Sequence, residues 1–245
     1  MLLFPSRFIS NFLKVFLYLL YNPFAWVYDY VAALVSVGKW NDWVLVAGRY
    51  VYRFPVLELG HGPGHLQIEL AKSGERVYGL DASWQMSLQA LRKLTRAGFP
   101  VHLVNGKSQA LPFFDDTFAT IVATFPTEYI VDPNTLKEIW RILKPGGLLV
   151  VLPLAWITGK SLLERWAAWL FHLTKQSPRK PPSKSESNDM NYFFDRSGKS
   201  LVQRFQENGF LTDVQVVSLS SSELMIILAE KQSDTNHQKN TDQYF

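Results

Sequence analysis

The chain has 245 residues, which suits one α/β domain with additions or at most two small domains. Hydrophobic residues at 47% and charged residues at 19% exclude global disorder and supply a sizeable core, while a net charge of +4 permits an anionic partner without requiring one. The absence of Cys excludes disulfide frameworks, thiolate zinc sites, iron–sulfur clusters and every Cys-nucleophile mechanism, and leaves the compartment open.

Residues 1–50 form an apolar, aromatic N-terminal region. On a helical wheel Arg7, Asn11, Lys14 and Tyr18 make one narrow polar stripe. Such a helix either caps the domain and its pocket or lies in a membrane interface. The charge-free run between Lys14 and Asp29 is broken at Asn22-Pro23, short of the roughly 20 apolar residues that a spanning helix needs. No small-x-small site follows it, which argues against a cleaved signal peptide.

From residue 55 the pattern alternates. Strands are expected at 55–59, 77–80, 101–104, 118–125 and 148–152, and helices at 66–72, 83–97 and 134–143, the last stopped by Lys144-Pro145-Gly146-Gly147. This order predicts a parallel, doubly wound sheet. An insert over 154–195 holds a Trp-rich amphipathic helix and a polar Pro/Ser/Lys linker. A helix at 198–208 and an antiparallel strand pair at 214–219 and 224–229 complete a domain spanning 51–231, and 232–245 reads as a polar disordered tail.

The chemistry is concentrated where the first strand meets the first helix, in Glu58-Leu59-Gly60-His61-Gly62-Pro63-Gly64-His65. Glycines at alternate positions let the backbone approach a ligand, and the following helix offers free N–H groups. Asp81 ends the second strand, where a carboxylate accepts both hydroxyls of a ribose. A dinucleotide fingerprint, G-x-G-x-x-G, would place its third glycine at His65, so the spacing does not fit. Glu58, two residues before the first glycine, repels a pyrophosphate but suits an ammonium and a sulfonium, the charges of S-adenosylmethionine.

With these motifs the chain resembles a class I S-adenosylmethionine-dependent methyltransferase of the small-molecule type related to quinone-biosynthesis C-methyltransferases. The resemblance covers about residues 28–231. It also rests on Asp81-Ala82-Ser83 with Met86 and Ala90, on Ala110-Leu111-Pro112-Phe113 before Asp115-Asp116-Thr117-Phe118, and on Leu136 through Gly147. It implies a Rossmann-like, seven-stranded, mostly parallel sheet with an antiparallel last strand, N-terminal helices and a helical lid insert. It further implies that Gly60, Gly62 and Gly64 wrap the methionine part, with His61 in the loop and Glu58 organising it. Asp81 then binds the ribose, Ala82 and Met86 line the adenine side, and Gly106, Ala110 and Thr124 border the cofactor. Asn105 stands where the family usually has an Asp that accepts from the adenine amine, and its amide oxygen keeps that capacity. Tyr28, before Asp29, matches an aromatic that closes over the cofactor; core packing is the other reading of it.

Methyl transfer is an in-line displacement, so a catalytic side chain is needed only where the acceptor must lose a proton. After the fourth strand, Glu128 is the candidate base and Tyr129 the candidate for orienting the acceptor; a surface acid at a helix start is the alternative for Glu128. His61 reads as a local hydrogen bonder or a substrate contact. No His/Asp/Glu cluster has metal-ligand spacing, so no metal is expected.

Absence of Cys excludes carbon-5 pyrimidine methylation, and Thr124-Phe125-Pro126-Thr127 lacks the Asp/Asn-Pro-Pro-aromatic run of enzymes that methylate base amines. A nucleic-acid partner is therefore disfavoured, and a small apolar or lipid-like acceptor of quinone, phenolic or isoprenoid type is expected. Trp156, Leu162, Leu163, Trp166, Trp169 and Leu170, with Lys160, Arg165, Lys175, Arg179 and Lys180 around them, read as a pocket lid or as a peripheral contact with an anionic membrane. The localisation expected is cytoplasmic, at or near a membrane surface. The alternative to an enzyme is a non-catalytic methyltransferase-like module that binds a membrane or protein partner.

Overall fold

The computed structural model describes residue 36 and residues 38–158 and 199–232. Tyr28, the Trp-rich insert helix and the polar tail lie outside the described residues.

Short apolar runs bounded by turn residues become the buried strands of one seven-stranded sheet. In chain order the elements are α1 (Trp40–Gly48), β1 (Val56–Leu59), α2 (His65–Ala71), β2 (Val77–Asp81), α3 (Trp84–Arg96), β3 (Leu103–Asn105), β4 (Phe118–Thr124), a 3-10 turn (Glu128–Val131), α4 (Pro133–Ile142), β5 (Leu143–Ile157), α5 (Leu201–Glu207), β6 (Phe210–Leu219) and β7 (Ser222–Lys231). The sheet order is β3-β2-β1-β4-β5-β7-β6. The first five strands pair in parallel, and β7 runs antiparallel to both β5 and β6. The chain order reverses between β1 and β4, so the carboxyl ends of these strands frame the crevice where such sheets bind ligands.

Strand alternation sorts the core into two faces. Val56, Val122, Val150, Leu152, Leu224 and Ile226 pack with Trp43 of α1 and with Leu66 and Leu70 of α2. Leu57, Leu59, Ile121, Ala123, Leu149 and Ile227 pack on the opposite side with Leu136 and Ile139 of α4 and Phe205 of α5. The helices start where their caps dictate. Ser83 Oγ accepts from the Met86 amide, the Asp132 side chain accepts from Asn134 ahead of a Pro at N1, and Ser200 with Gln203 forms a capping box. Gly98, at φ +75, closes α3.

The motif 111–118 is clamped to α4. Arg141 donates to Glu138 Oε1 and Oε2, to Asp115 Oδ1 at 2.8 Å and to the carbonyls of Leu111 and Phe113, while Glu138 Oε2 accepts from the Leu111 amide at 2.7 Å.

Several boundaries differ from the sequence expectation: β6 starts at Phe210 rather than 214, β7 spans Ser222–Lys231 rather than 224–229, and α5 starts at Leu201 rather than 198. β3 lies at 103–105 rather than 101–104. β5 runs from Leu143 to Ile157, through the Lys144-Pro145-Gly146-Gly147 turn and beyond residue 152. Its extension follows an irregularity between Val151 and Leu154, after which Ala155, Trp156 and Ile157 pair with Leu224, Glu223 and Ser222 of β7. Residues 154–157 are therefore strand, not the start of the insert, and Trp156 is a buried core residue rather than part of a lid helix.

Candidate functional site

β1 ends in a bend whose glycines all have left-handed backbone: Gly60 at φ +73, Gly62 at φ +52 and Gly64 at φ +86. Their reasons differ. A Cβ on Gly64 would lie 2.8 Å from Ala90 Cβ on α3, and one on Gly60 would lie 2.8 Å from the Tyr129 hydroxyl. A Cβ on Gly62 meets nothing within 4 Å. Two of the three glycines thus let the bend sink against its own protein, and Gly62 is the one that faces open space.

Asp81 locks this bend to the end of β2. Its Oδ2 accepts from the Gly62 amide at 2.8 Å and its Oδ1 from the Ser83 amide at 2.7 Å. Each carboxylate oxygen keeps a further lone pair for a ligand hydroxyl. Beside it, Asn105 Nδ2 donates to the Asp81 carbonyl at 2.9 Å, which leaves the amide oxygen as the accepting end. Ala82, Asn105 and Ala110 are exposed, Gly106 and Thr124 half-buried, and Met86 fully buried beneath the start of α3.

Under the bend, Glu58 is 1% exposed and accepts from Gln67 Nε2 at 2.8 Å. Burial pushes its carboxyl up to about 8, against the opposing pull of that hydrogen bond. Gln67 was missed by the sequence reading, although a buried strand carboxylate demands a nearby donor and Gln67 is a buried polar residue of α2. His61 is also buried. Its Nδ1 lies 2.8 Å from the Gly62 carbonyl and its Nε2 3.5 Å from Ser87 Oγ. Loss of water holds the imidazole below its ordinary pKa, opposed chiefly by the Asp81 charge, so Nδ1–H donates to Gly62. A Cβ on Gly79 would come within 2.9 Å of the His61 ring and 2.7 Å of Leu103. That strand glycine makes room for the buried ring, and His61 takes the position of a local hydrogen bonder.

At the end of β4, Tyr129 donates its hydroxyl to the Leu59 carbonyl at 3.0 Å, directly beneath Gly60. Glu128 is exposed at the first position of the 3-10 turn. Phe125 has a left-handed backbone, φ +46, and its ring stacks on Trp40 of α1 with 4.4 Å between centroids. A pocket of about 280 Å³ lined by Lys39, Asp42, Trp43, Arg49 and Ser220 lies elsewhere, against the β6–β7 turn, with β4 and β5 between it and the strand that carries the bend. Among the described residues no group of three or more His, Asp and Glu is placed to hold a metal ion, and no helix is long and apolar enough to cross a membrane.

Residues 56–147 match the family model described as a methyltransferase domain. This stretch runs from β1 through α4 and contains the bend, Asp81 and the clamped 111–118 motif. Over this stretch the chain is similar to methyltransferase domains. The chain is 34% identical over 128 residues to a demethylmenaquinone methyltransferase of Clavibacter sepedonicus, covering 51% of this chain and 52% of the relative. It is 30% identical over 168 residues to a ubiquinone/menaquinone biosynthesis C-methyltransferase of Blochmanniella floridana, covering 64% of this chain and 66% of the relative. The chain thus spans about half to two thirds of the length of these relatives. A solved S-adenosylmethionine-dependent methyltransferase from Aquifex aeolicus shares the fold, with a TM-score of 0.54 and 19% identity over 79% of this chain and 92% of that one. The seven-stranded sheet expected from the sequence is this methyltransferase fold.

Proposed function

We propose that the protein is an S-adenosylmethionine-dependent methyltransferase acting on a small apolar or lipid-like acceptor of quinone or phenolic type. The observation that carries the reading is the joint between Gly62 and Asp81. One aspartate oxygen fixes an open glycine bend and the other fixes the turn into α3, at the carboxyl edge where the strand order reverses. The residues fit the cofactor. Gly62 leaves space over the bend, Asp81 retains acceptor capacity for a diol, and Asn105 retains an acceptor oxygen for an exocyclic amine. When bound, the cofactor supplies an activated methyl on a sulfonium.

The chain's own residues then bind, orient and exclude water. Asp81 and Asn105 hold the nucleoside end, and Gly62 presents backbone without a side chain. Buried Glu58 places a carboxylate beneath a cationic ligand, and a positive charge above it favours its ionised form. Tyr129 is a positioning residue, since its hydroxyl props the end of β1 under the bend. Quinone-type C-methylation is the finer reading, supported by the names of the two relatives given above and by the stacked aromatic pair Phe125 and Trp40 beyond the end of β4.

Incubation of lipid extracts with isotope-labelled methyl donor tests the function. Label in an apolar quinone or phenol fraction is the expected result, and label confined to polar metabolites contradicts it. We extend the proposal to peripheral contact with an anionic membrane, supported by the sequence of the N-terminal region and of the insert. Flotation with anionic vesicles at low salt should carry the protein upward, and recovery at the bottom with and without residues 1–21 contradicts the contact.

A further inference from the structure

Beyond the irregularity between Phe118 and Thr120, the side chains of β4 alternate. Ile121 and Ala123 pack on the α4 and α5 side, and Val122 on the α1 and α2 side. Continued for two residues, this alternation would send Phe125 to the α4 side, where Tyr129 packs. The structure places it on the other side, against Trp40 and Trp43 of α1, and the device is the left-handed backbone at φ +46. A bulky residue rarely adopts this conformation, least of all before a proline such as Pro126. Were a turn the only requirement, Gly or Asn would meet it without strain. Strain of this kind, held by surrounding packing, concentrates at functional sites.

Phe125 is also in the right place. Glu58 pairs in register with Val122, so counting on two residues sets Gly60 level with Thr124, one strand spacing away. Phe125 therefore follows directly on the residue level with the start of the glycine bend, at the carboxyl edge of the sheet, and it is half-buried. Trp40 backs it with a near-parallel ring, 28° between planes.

We propose that Phe125 is a specificity-determining residue, its ring, backed by Trp40, being the face on which a flat apolar acceptor packs beside the bend. The inference rests on the methyltransferase reading and names the acceptor contact of that same site. The ring is kept at a strained position because a stacked aromatic offers a planar, apolar contact that Leu cannot reproduce. On this account Leu preserves bulk and loses the stack, whereas Tyr preserves the stack.

The test uses the full chain with S-adenosylhomocysteine bound, and 1,4-naphthoquinone as the acceptor probe; with no Cys present, the quinone has no thiol to alkylate. Calorimetric titration of wild type, Phe125→Leu and Phe125→Tyr should show naphthoquinone binding weakened about five- to tenfold in Phe125→Leu and restored in Phe125→Tyr. The affinity for S-adenosylhomocysteine should stay within about twofold in all three, the range left by a change that does not touch the cofactor seat. Where turnover is measured on the labelled acceptor fraction, KM should rise more than kcat falls. Equal naphthoquinone affinity in wild type and Phe125→Leu overturns the inference and leaves the function standing. So does a parallel loss of S-adenosylhomocysteine binding, which would mean general loosening of the α1 packing. Wild type that binds S-adenosylhomocysteine but no naphthoquinone refutes the quinone-type acceptor, and the inference with it. Wild type that binds neither refutes the methyltransferase reading itself.

Discussion

Buried Glu58 sets a pH signature that belongs to one residue. Its folded carboxyl is pushed up to about 8 by burial, above the 4.5 of an exposed glutamate, so between these values the folded chain holds a proton that the unfolded chain has released. Its stabilising contribution is fully present below about 4.5 and is lost as pH rises through about 8. Urea midpoints should therefore fall across that window, and Glu58→Gln should flatten the slope; an unchanged slope in Glu58→Gln contradicts the assignment. Gly64 makes a second residue-scale prediction. Gly64→Ala forces a Cβ to 2.8 Å from Ala90 at a positive φ, and should cost about 1–3 kcal/mol in denaturant unfolding. Gly62→Ala, with open space around it, should cost only the backbone strain and spare most of the stability. The alternate glycines, Glu58 and Asp81 were legible in the sequence because spacing alone carries them. Gln67, Gly79 and the backbone flip at Phe125 were not, because each answers a contact across the sheet that no local pattern records.

Elements came through the sequence with their periods, while the caps at Asp132 and Ser200 emerged only in the structure. Ser83, Asp132 and Ser200 mark true helix starts, and continuous apolar runs became strands buried on both faces. One misplaced boundary has a clear cause: β5 beyond Leu152 is held by its antiparallel partner β7, so its length depends on a pairing remote in sequence. The motif pair 111–118 and 136–147, on which the family resemblance partly rests, forms a structural clasp. Arg141 joins Glu138, Asp115 and two carbonyls, and these partners hold its guanidinium firmly charged. Arg141→Ala strands these acceptors and should destabilise the fold by about 2–3 kcal/mol in chemical denaturation while the remaining folded protein keeps its cofactor affinity. A loss of affinity without loss of stability would place the clasp in the site instead. The clasp also weakens in acid. Its hydrogen bonds with Arg141 hold the Glu138 carboxyl below the usual range, so that contribution is present above the ordinary glutamate pKa and is lost as pH falls through the depressed value.

At the scale of the whole molecule, the sheet brings to one edge what the sequence scatters over 70 residues: the bend after β1, Asp81 after β2, Asn105 at the end of β3 and the aromatic turn after β4. α1 ties the N-terminal side of the chain to this edge, with Trp40 on Phe125 and Trp43 Nε1 donating to buried Ser222 Oγ at 2.8 Å. Under the proposed function this edge seats a sulfonium nucleoside through Asp81, and calorimetric titration with S-adenosylhomocysteine tests that seat most directly. Wild type should show one site per chain, and Asp81→Ala an affinity lower by roughly 1–3 kcal/mol, about five- to 150-fold, from loss of the diol contact and of the hold on Gly62. No binding by folded wild type, or equal affinity in Asp81→Ala, would contradict it.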